Sequence, residues 1–309
     1  MNLPEDVRHA VDAALASRGG PDPITAAVPI AGGCINNGAR VETAAGAAYF
    51  LKWNAASPDG MFAAEADGLL ALRQAAPVTV PEPLACGGGE GSPAWLLMDY
   101  VERGTGGPDS DARLGRALAI LHDGGTGGGG APIPGDDFAG FGWHRDNWIG
   151  SLPQANEPDE SWGVFWRDRR IAPQLALARR AGHLTEGLFD RLVDVIPRAL
   201  EDVTKPSLLH GDLWSGNVFF TPAGEPALVD PAVYRGDGEV DLAMSELFGG
   251  FGPAFYAAYA EARGVGDAYR SYRKALYQLY YLLVHVNLFG GSYVAGSRRA
   301  AERVVGEVA

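Results

Sequence analysis

The stretch Leu208–Pro231, LLHGDLWSGNVFFTPAGEPALVDP, decides how the chain is read. It places Asp212, Asn217 and Asp230 at intervals of five and thirteen residues among apolar segments. Two carboxylates and an amide oxygen form a hard-oxygen set. One carboxylate can take the proton of an alcohol, while the amide oxygen and the second carboxylate coordinate a divalent cation such as Mg2+. Transfer of a phosphoryl group from ATP to a hydroxyl needs those three functions, because the protein must orient the nucleophile, hold metal against phosphate and neutralise charge. Asp212 is therefore the candidate base, with Asn217 and Asp230 the candidate metal ligands.

The rest of the chain bounds what can surround that stretch. Its 309 residues suffice for two unequal lobes, and an apolar fraction of 47% with 20% charged residues describes a folded protein. A net charge of −13 argues against nucleic acid or an anionic membrane surface as the main partner. The two cysteines, Cys34 and Cys86, show no metal-binding spacing and suit a reducing cytoplasm. Glu5, Asp6 and Arg8 stand where a signal peptide would need an apolar run. The most apolar late stretch, ALYQLYYLLVHVNLFGG, is interrupted by Gln278, His285 and Asn287 and reads as a buried helix.

Hydrophobic periodicity predicts a helix over residues 4–18, then the strand-like runs AAVPI, ARVET and AYFLKWN. A helical MFAAEADGLLALRQ and two further strands, VTVPEPLACG and AWLLMDYV, complete a β-β-α-β-β arrangement. Gly-rich segments flank the helical pattern ARLGRALAILH. Long helical patterns then cover 162–182, 184–201, 240–262 and 266–290. A small antiparallel-sheet lobe over 1–99, a hinge at 100–103 and a mainly helical lobe over 104–309 follow from this reading. The expected class is α+β.

The small lobe supplies the nucleotide half of the chemistry. A glycine-bearing turn with Gly32, Gly33 and Gly38 lets backbone approach phosphates, and the strand after it carries Lys52 for the α- and β-phosphates. Glu65, on the following helix, is placed to pair with Lys52; Asp67 and Glu82 are the nearby alternatives. The strand LLMDYV ends at the lobe boundary, where the Asp99 carbonyl and Val101 amide can meet the adenine edge and Met98 can line its pocket. Asp212-x4-Asn217 has the spacing of the protein-kinase catalytic loop, and the order glycine turn, Lys, Glu, hinge, loop, strand-Asp is the kinase order. The chain thus resembles a bilobal protein-kinase-like fold.

The resemblance narrows further. The segments GGCIN, FLKWN, EADGLLAL, FGWHRDNWIGSLPQAN, FWRDRRIAPQL, SLLHGDLWSGNV and LVDPAVYRGDGEVDLAMSELFGGF are similar to those of the fructosamine kinase, or ketosamine-3-kinase, family, related to aminoglycoside and choline kinases. That resemblance implies ATP- and Mg2+-dependent phosphorylation at O3 of a ketosamine, free or borne on a glycated protein, supporting deglycation. Arg235 and Gly238 depart from the family pattern, where an aromatic and an Arg are common; if that loop helps form the acceptor pocket, acceptor preference is the implied property the departure touches. Three competing readings are a kinase for another small alcohol, a protein kinase and a non-catalytic nucleotide-binding module. The loop reads His-Gly-Asp instead of His-Arg-Asp, and Ser245 is the only Ser or Thr between Pro231 and Arg270, against a phosphorylated activation loop. Retention of Lys, base and metal Asp argues against the third.

Several other side chains take bland and functional readings together. His210 is expected to brace the loop backbone, and Asp241 to tie a helix start to that loop. Asp237 and Glu239 are either attractors of an amine-bearing substrate or solvated charges. Trp143, Trp148, Trp162 and Trp166 serve either core packing or sugar stacking, with DNWIGSLPQAN an acceptor-side wall. Cys34, in the glycine turn, is a candidate for oxidation that blocks ATP binding.

Overall fold

The structure, a computed structural model, describes residues 3–30, 36–89, 91–124 and 140–308. Helix α1 (Glu5–Gly19) precedes a meander of β1 (Ile24–Pro29), β2 (Asn37–Thr43) and β3 (Ala48–Asn54). Helix α2 (Met61–Ala75) follows, and β4 (Pro83–Gly89) and β5 (Ser92–Asp99) complete an antiparallel sheet ordered β1-β2-β3-β5-β4. Three strands rather than two thus precede α2: the run AAVPI belongs to β1 at the sheet edge, paired with β2 from Ile24 onward.

The two-residue period of the strands sorts their side chains. Leu51, Trp53, Trp95 and Leu97 face one side and bury against Val7, Val11 and Leu15 of α1. Leu96 and Met98 face the other side with Phe62, Leu69 and Leu72 of α2, in the core that continues into the helical half. Lys52, between Leu51 and Trp53, must share that second side. The alternation that buries its neighbours under α1 aims it at the cleft.

The remainder contains α3 (Ser110–His122), the hairpin β6 (Asn147–Ile149) and β7 (Leu152–Gln154), α4 (Trp162–Phe165), α5 (Ala172–Arg180) and α6 (Leu188–Ala199). Strands β8 (Ser207–Leu209), β9 (Val218–Phe220), β10 (Pro226–Leu228) and β11 (Tyr234–Gly236) precede α7 (Glu239–Leu247), α8 (Pro253–Arg263), α9 (Lys274–Phe289) and α10 (Val294–Val308). The helical pattern over 162–182 is interrupted by a π-helical turn at Trp166–Ile171. That over 240–262 breaks between α7 and α8, where Gly249 and Gly250 adopt positive φ and Pro253 opens the next helix. Helix α9 is buried as expected and packs against α5, α7 and α10. No helix among the described residues is long and apolar enough to cross a membrane.

Two antiparallel pairings frame the 208–231 stretch. β8 pairs with β11 and β9 with β10, so the chain leaves one ladder, forms a loop, and returns through the other. Gly211 sits at the crossing with φ +81°, and a Cβ there would lie 2.0 Å from the Ala232 carbonyl oxygen. Only glycine meets both conditions.

Candidate active site

A cleft of about 420 Å³ opens between the sheet and the helical half. Gly38, Lys52, Glu65, Met98, Asp99, Val101, Asp212, Asn217 and Asp230 all line it. Of the residues expected at the site, Gly32 and Gly33 lie outside the described residues, as does Cys34. Gly38 stands in β2 directly across from Lys52, with a Cβ position only 2.9 Å from the Phe50 ring.

Lys52 is the electrostatic centre. Its Nζ donates to Glu65 Oε1 at 2.8 Å and to Asp230 Oδ1 at 2.8 Å. Burial alone would lower its pKa; the Asp230 and Glu65 carboxylates outweigh burial and hold the ammonium above its ordinary value. Neither alternative to Glu65 competes: Asp67 turns to Trp143 and His144, and Glu82 pairs with Arg73.

The loop after β8 is built around backbone anchors. Asp241 on α7 accepts from the His210 amide at 2.7 Å and the Gly211 amide at 2.9 Å, the tie expected of it. His210 Nε2 lies 2.9 Å from the Val229 carbonyl, which only accepts, and Nδ1 accepts from the Asp212 amide at 3.3 Å. That assigns the Nε2–H tautomer. Burial lowers the pKa of His210 against the raising influence of Asp241, so the ring is a neutral brace rather than a proton carrier.

Asn217 donates through Nδ2 to the Asp212 carbonyl at 2.9 Å, to Asp212 Oδ2 at 3.1 Å and to the Asp230 carbonyl at 3.4 Å. One amide thereby holds all three members of the constellation together. Among the described residues its Oδ1 has no hydrogen-bond donor, and it can accept or ligate. Asp230 takes φ +55°, a left-handed conformation uncommon outside glycine and tolerated by Asp, immediately before Pro231. The turn swings its carboxylate back over Lys52. Loss of hydration raises the half-buried Asp212 carboxyl to about 7; the Asn217 hydrogen bond opposes this, and the Asp230 and Asp241 charges add to it. A base poised near neutrality suits proton removal from an alcohol.

The cleft also contains residues the sequence reading did not single out. Phe219, two residues past Asn217, supplies an aromatic wall, and the Arg103 guanidinium lies 4.4 Å from its ring centroid. Asn147 donates to the Val233 carbonyl at 2.8 Å beneath the Asp230 turn. Of the four tryptophans considered, Trp148 lines the cleft, whereas Trp143, Trp162 and Trp166 are buried. Neither reading of Asp237 holds. It is buried and accepts from the Tyr277 hydroxyl at 2.5 Å, and Glu239 pairs with Arg273 at 3.1 Å. Gly238 is explained by packing, since a Cβ would lie 2.7 Å from the His122 ring.

Comparison with known proteins agrees with this geometry. The family model described as fructosamine kinase matches residues 8–307. A probable ketoamine kinase of Synechocystis is 42% identical over 268 residues, covering 85% of each chain. A chloroplastic protein-ribulosamine 3-kinase of Arabidopsis thaliana is 36% identical over 279 residues, 87% of this chain and 79% of that one. Among solved structures, a chain from Haemophilus somnus provisionally assigned as a fructosamine-3-kinase superposes with a TM-score of 0.81 at 27% identity, covering 95% of this chain and 96% of that one. With a model match across almost its entire length and a cleft of this composition, the chain belongs to the fructosamine kinase family.

Proposed function

We propose that the protein transfers the terminal phosphoryl group of ATP to the O3 hydroxyl of a ketosamine, with the sheet lobe (1–99), hinge (100–103) and helical lobe (104–309) closing around the nucleotide. The observation that carries this reading is the convergence of Lys52, Asp212, Asn217 and Asp230 in one cleft, with Asp212 raised to about 7. The similarity to a ketoamine kinase and a ribulosamine 3-kinase supports the acceptor class. Such acceptors are free or borne on a protein, and we place the reaction in the cytoplasm.

In this reading Lys52, held by Glu65, contacts the α- and β-phosphates, and the backbone of Asp99 and Val101 meets the adenine edge beside Met98. Gly32, Gly33 and Gly38 let the backbone close over the phosphates. Asp212 takes the proton of the acceptor hydroxyl as its oxygen forms a bond to the γ-phosphorus and the bond to the β-phosphate oxygen breaks, leaving ADP. Asn217 Oδ1 and the Asp230 carboxylate form a hard-oxygen set that fits Mg2+, which when bound supplies charge neutralisation on the phosphates. The test is mass-spectrometric detection of phosphorylated product from fructoselysine, ribuloselysine, an aminoglycoside and choline with Mg-ATP. Phosphorylation of a ketosamine that vanishes in Asp212→Asn supports the reading, and product only from another alcohol overturns the acceptor assignment.

A further inference from the structure

Helix α2 carries a second carboxylate with no place in the scheme above. Asp67 lies two residues past Glu65, a rotation of about 200° around the helix, so the two project from opposite faces. Glu65 reaches Lys52; Asp67 reaches into the helical half. Its Oδ2 accepts from the indole Nε1 of buried Trp143 at 2.7 Å, and its Oδ1 lies 3.1 Å from His144 Nε2. The next residue, Arg145, donates to the Ala63 carbonyl of the same helix at 3.3 Å.

The segment that grips α2 is itself anchored. Gly142 and Arg235 exchange backbone hydrogen bonds at 2.9 and 2.8 Å, and the Trp143 amide donates to the Asn156 carbonyl at 2.9 Å. Asn156 accepts from Arg170 at 2.6 Å, and the buried Arg170 guanidinium lies 4.0 Å from the Tyr234 ring centroid. A continuous chain of polar contacts therefore joins α2 to the centre of the helical half. Gly68, beside Asp67, lets the helix approach closely, since a Cβ there would lie 3.0 Å from the Val233 side chain.

We propose that Asp67 is a positioning residue. By clamping α2 to Trp143 and His144 it fixes the depth at which Glu65 meets Lys52, so the ion pair is set by the fold without a modification or partner. This rests on the phosphotransfer reading. A carboxylate in this partly buried place accepts from the buried Trp143 indole, which would otherwise lose its partner, and meets the His144 ring with its second oxygen, which explains why Asp stands there. Misplacing Lys52 by a fraction of an ångström then weakens the reaction more than it weakens nucleotide binding.

A double-mutant cycle with Glu65 tests this. Asp67→Ala is expected to lower kcat about tenfold with KM for ATP within about twofold, and to add little further loss in a Glu65→Gln background, because both act through one pair. Asp67→Asn, which keeps an oxygen for Trp143, is expected to restore most of the rate. Amide exchange in Asp67→Ala is expected to quicken in α2 and stay unchanged in α9. Equal losses in the two backgrounds, an unchanged kcat, or exchange quickened throughout the chain would overturn the proposal. Should Asp67→Ala not fold, Trp143→Phe removes one donor only and runs the same cycle. Absence of Asp212-dependent turnover in the wild type would instead overturn the phosphotransfer reading, leaving the exchange comparison to decide the clamp alone.

Discussion

The Tyr281 hydroxyl on α9 donates to the Gly211 carbonyl at 2.7 Å, so the buried helix directly supports the backbone of the residue before Asp212. Tyr281→Phe leaves that buried carbonyl without this donor and is expected to cost about 1–3 kcal/mol. Urea denaturation would read this as a lower midpoint at unchanged slope. Activity at temperatures where the variant stays folded should fall as well, through the freed loop.

Gly211 tolerates no side chain, having both positive φ and a carbonyl where Cβ would sit. Gly211→Ala is expected to destabilise by more than about 1 kcal/mol, the ordinary scale for alanine forced to φ > 0, since the clash adds to the strain. Thermal unfolding of the purified variant checks this, with a midpoint equal to wild type as the contrary outcome.

The buried Lys52 ammonium holds together the largely buried Glu65 carboxylate and the partly exposed Asp230 carboxylate. Lys52→Met removes the cation and leaves Glu65 and Asp230 facing each other, so kcat is expected to fall by on the order of 10²-fold, the loss seen when one preorganised charge is removed. Steady-state kinetics with ketosamine and Mg-ATP measures it. Adding a chelator to the wild type should likewise abolish turnover, and excess Mg2+ should restore it.

The raised carboxyl of Asp212 couples activity and stability to pH in opposite senses. In the unliganded protein it is raised from 3.8 to about 7. The base form therefore accumulates as pH rises toward 7, and turnover rises with it. Folding shows the reverse sign: the shift contributes stability that is full below 3.8 and lost as pH rises through about 7. Asp212→Asn, neutral throughout, should match the wild type in stability at low pH and exceed it increasingly up to pH 8. Denaturation midpoints across that range decide the point.

What the sequence made legible was chemistry carried by spacing. Asp212, Asn217 and Asp230 stand close enough along the chain for one loop and one strand to bring them together, and Lys52 follows from strand alternation. What stayed hidden depends on partners far along the chain. Trp143 kept a sugar-stacking reading beside the commoner core-packing one because Asp67, which receives its indole N–H, is 76 residues away. Asp237 read as either an attractor of an amine or a solvated loop charge because Tyr277, whose hydroxyl it accepts from, lies 40 residues later. The break between α7 and α8 was written in Gly249 and Gly250, but apolar periodicity on both sides hid it.

The Lys52–Asp230 contact spans 178 residues, joining the third strand of the sheet to the far end of the catalytic stretch. Loop closure over such a separation is entropically costly and is compensated only as the core shared by α2, the sheet and the helical half forms. The cleft is therefore expected to close late in folding, after helix content and the α1-covered face of the sheet, an order that pulsed amide exchange during refolding would read. The difference in loop length predicts that Lys52 meets Glu65, 13 residues away, before it meets Asp230.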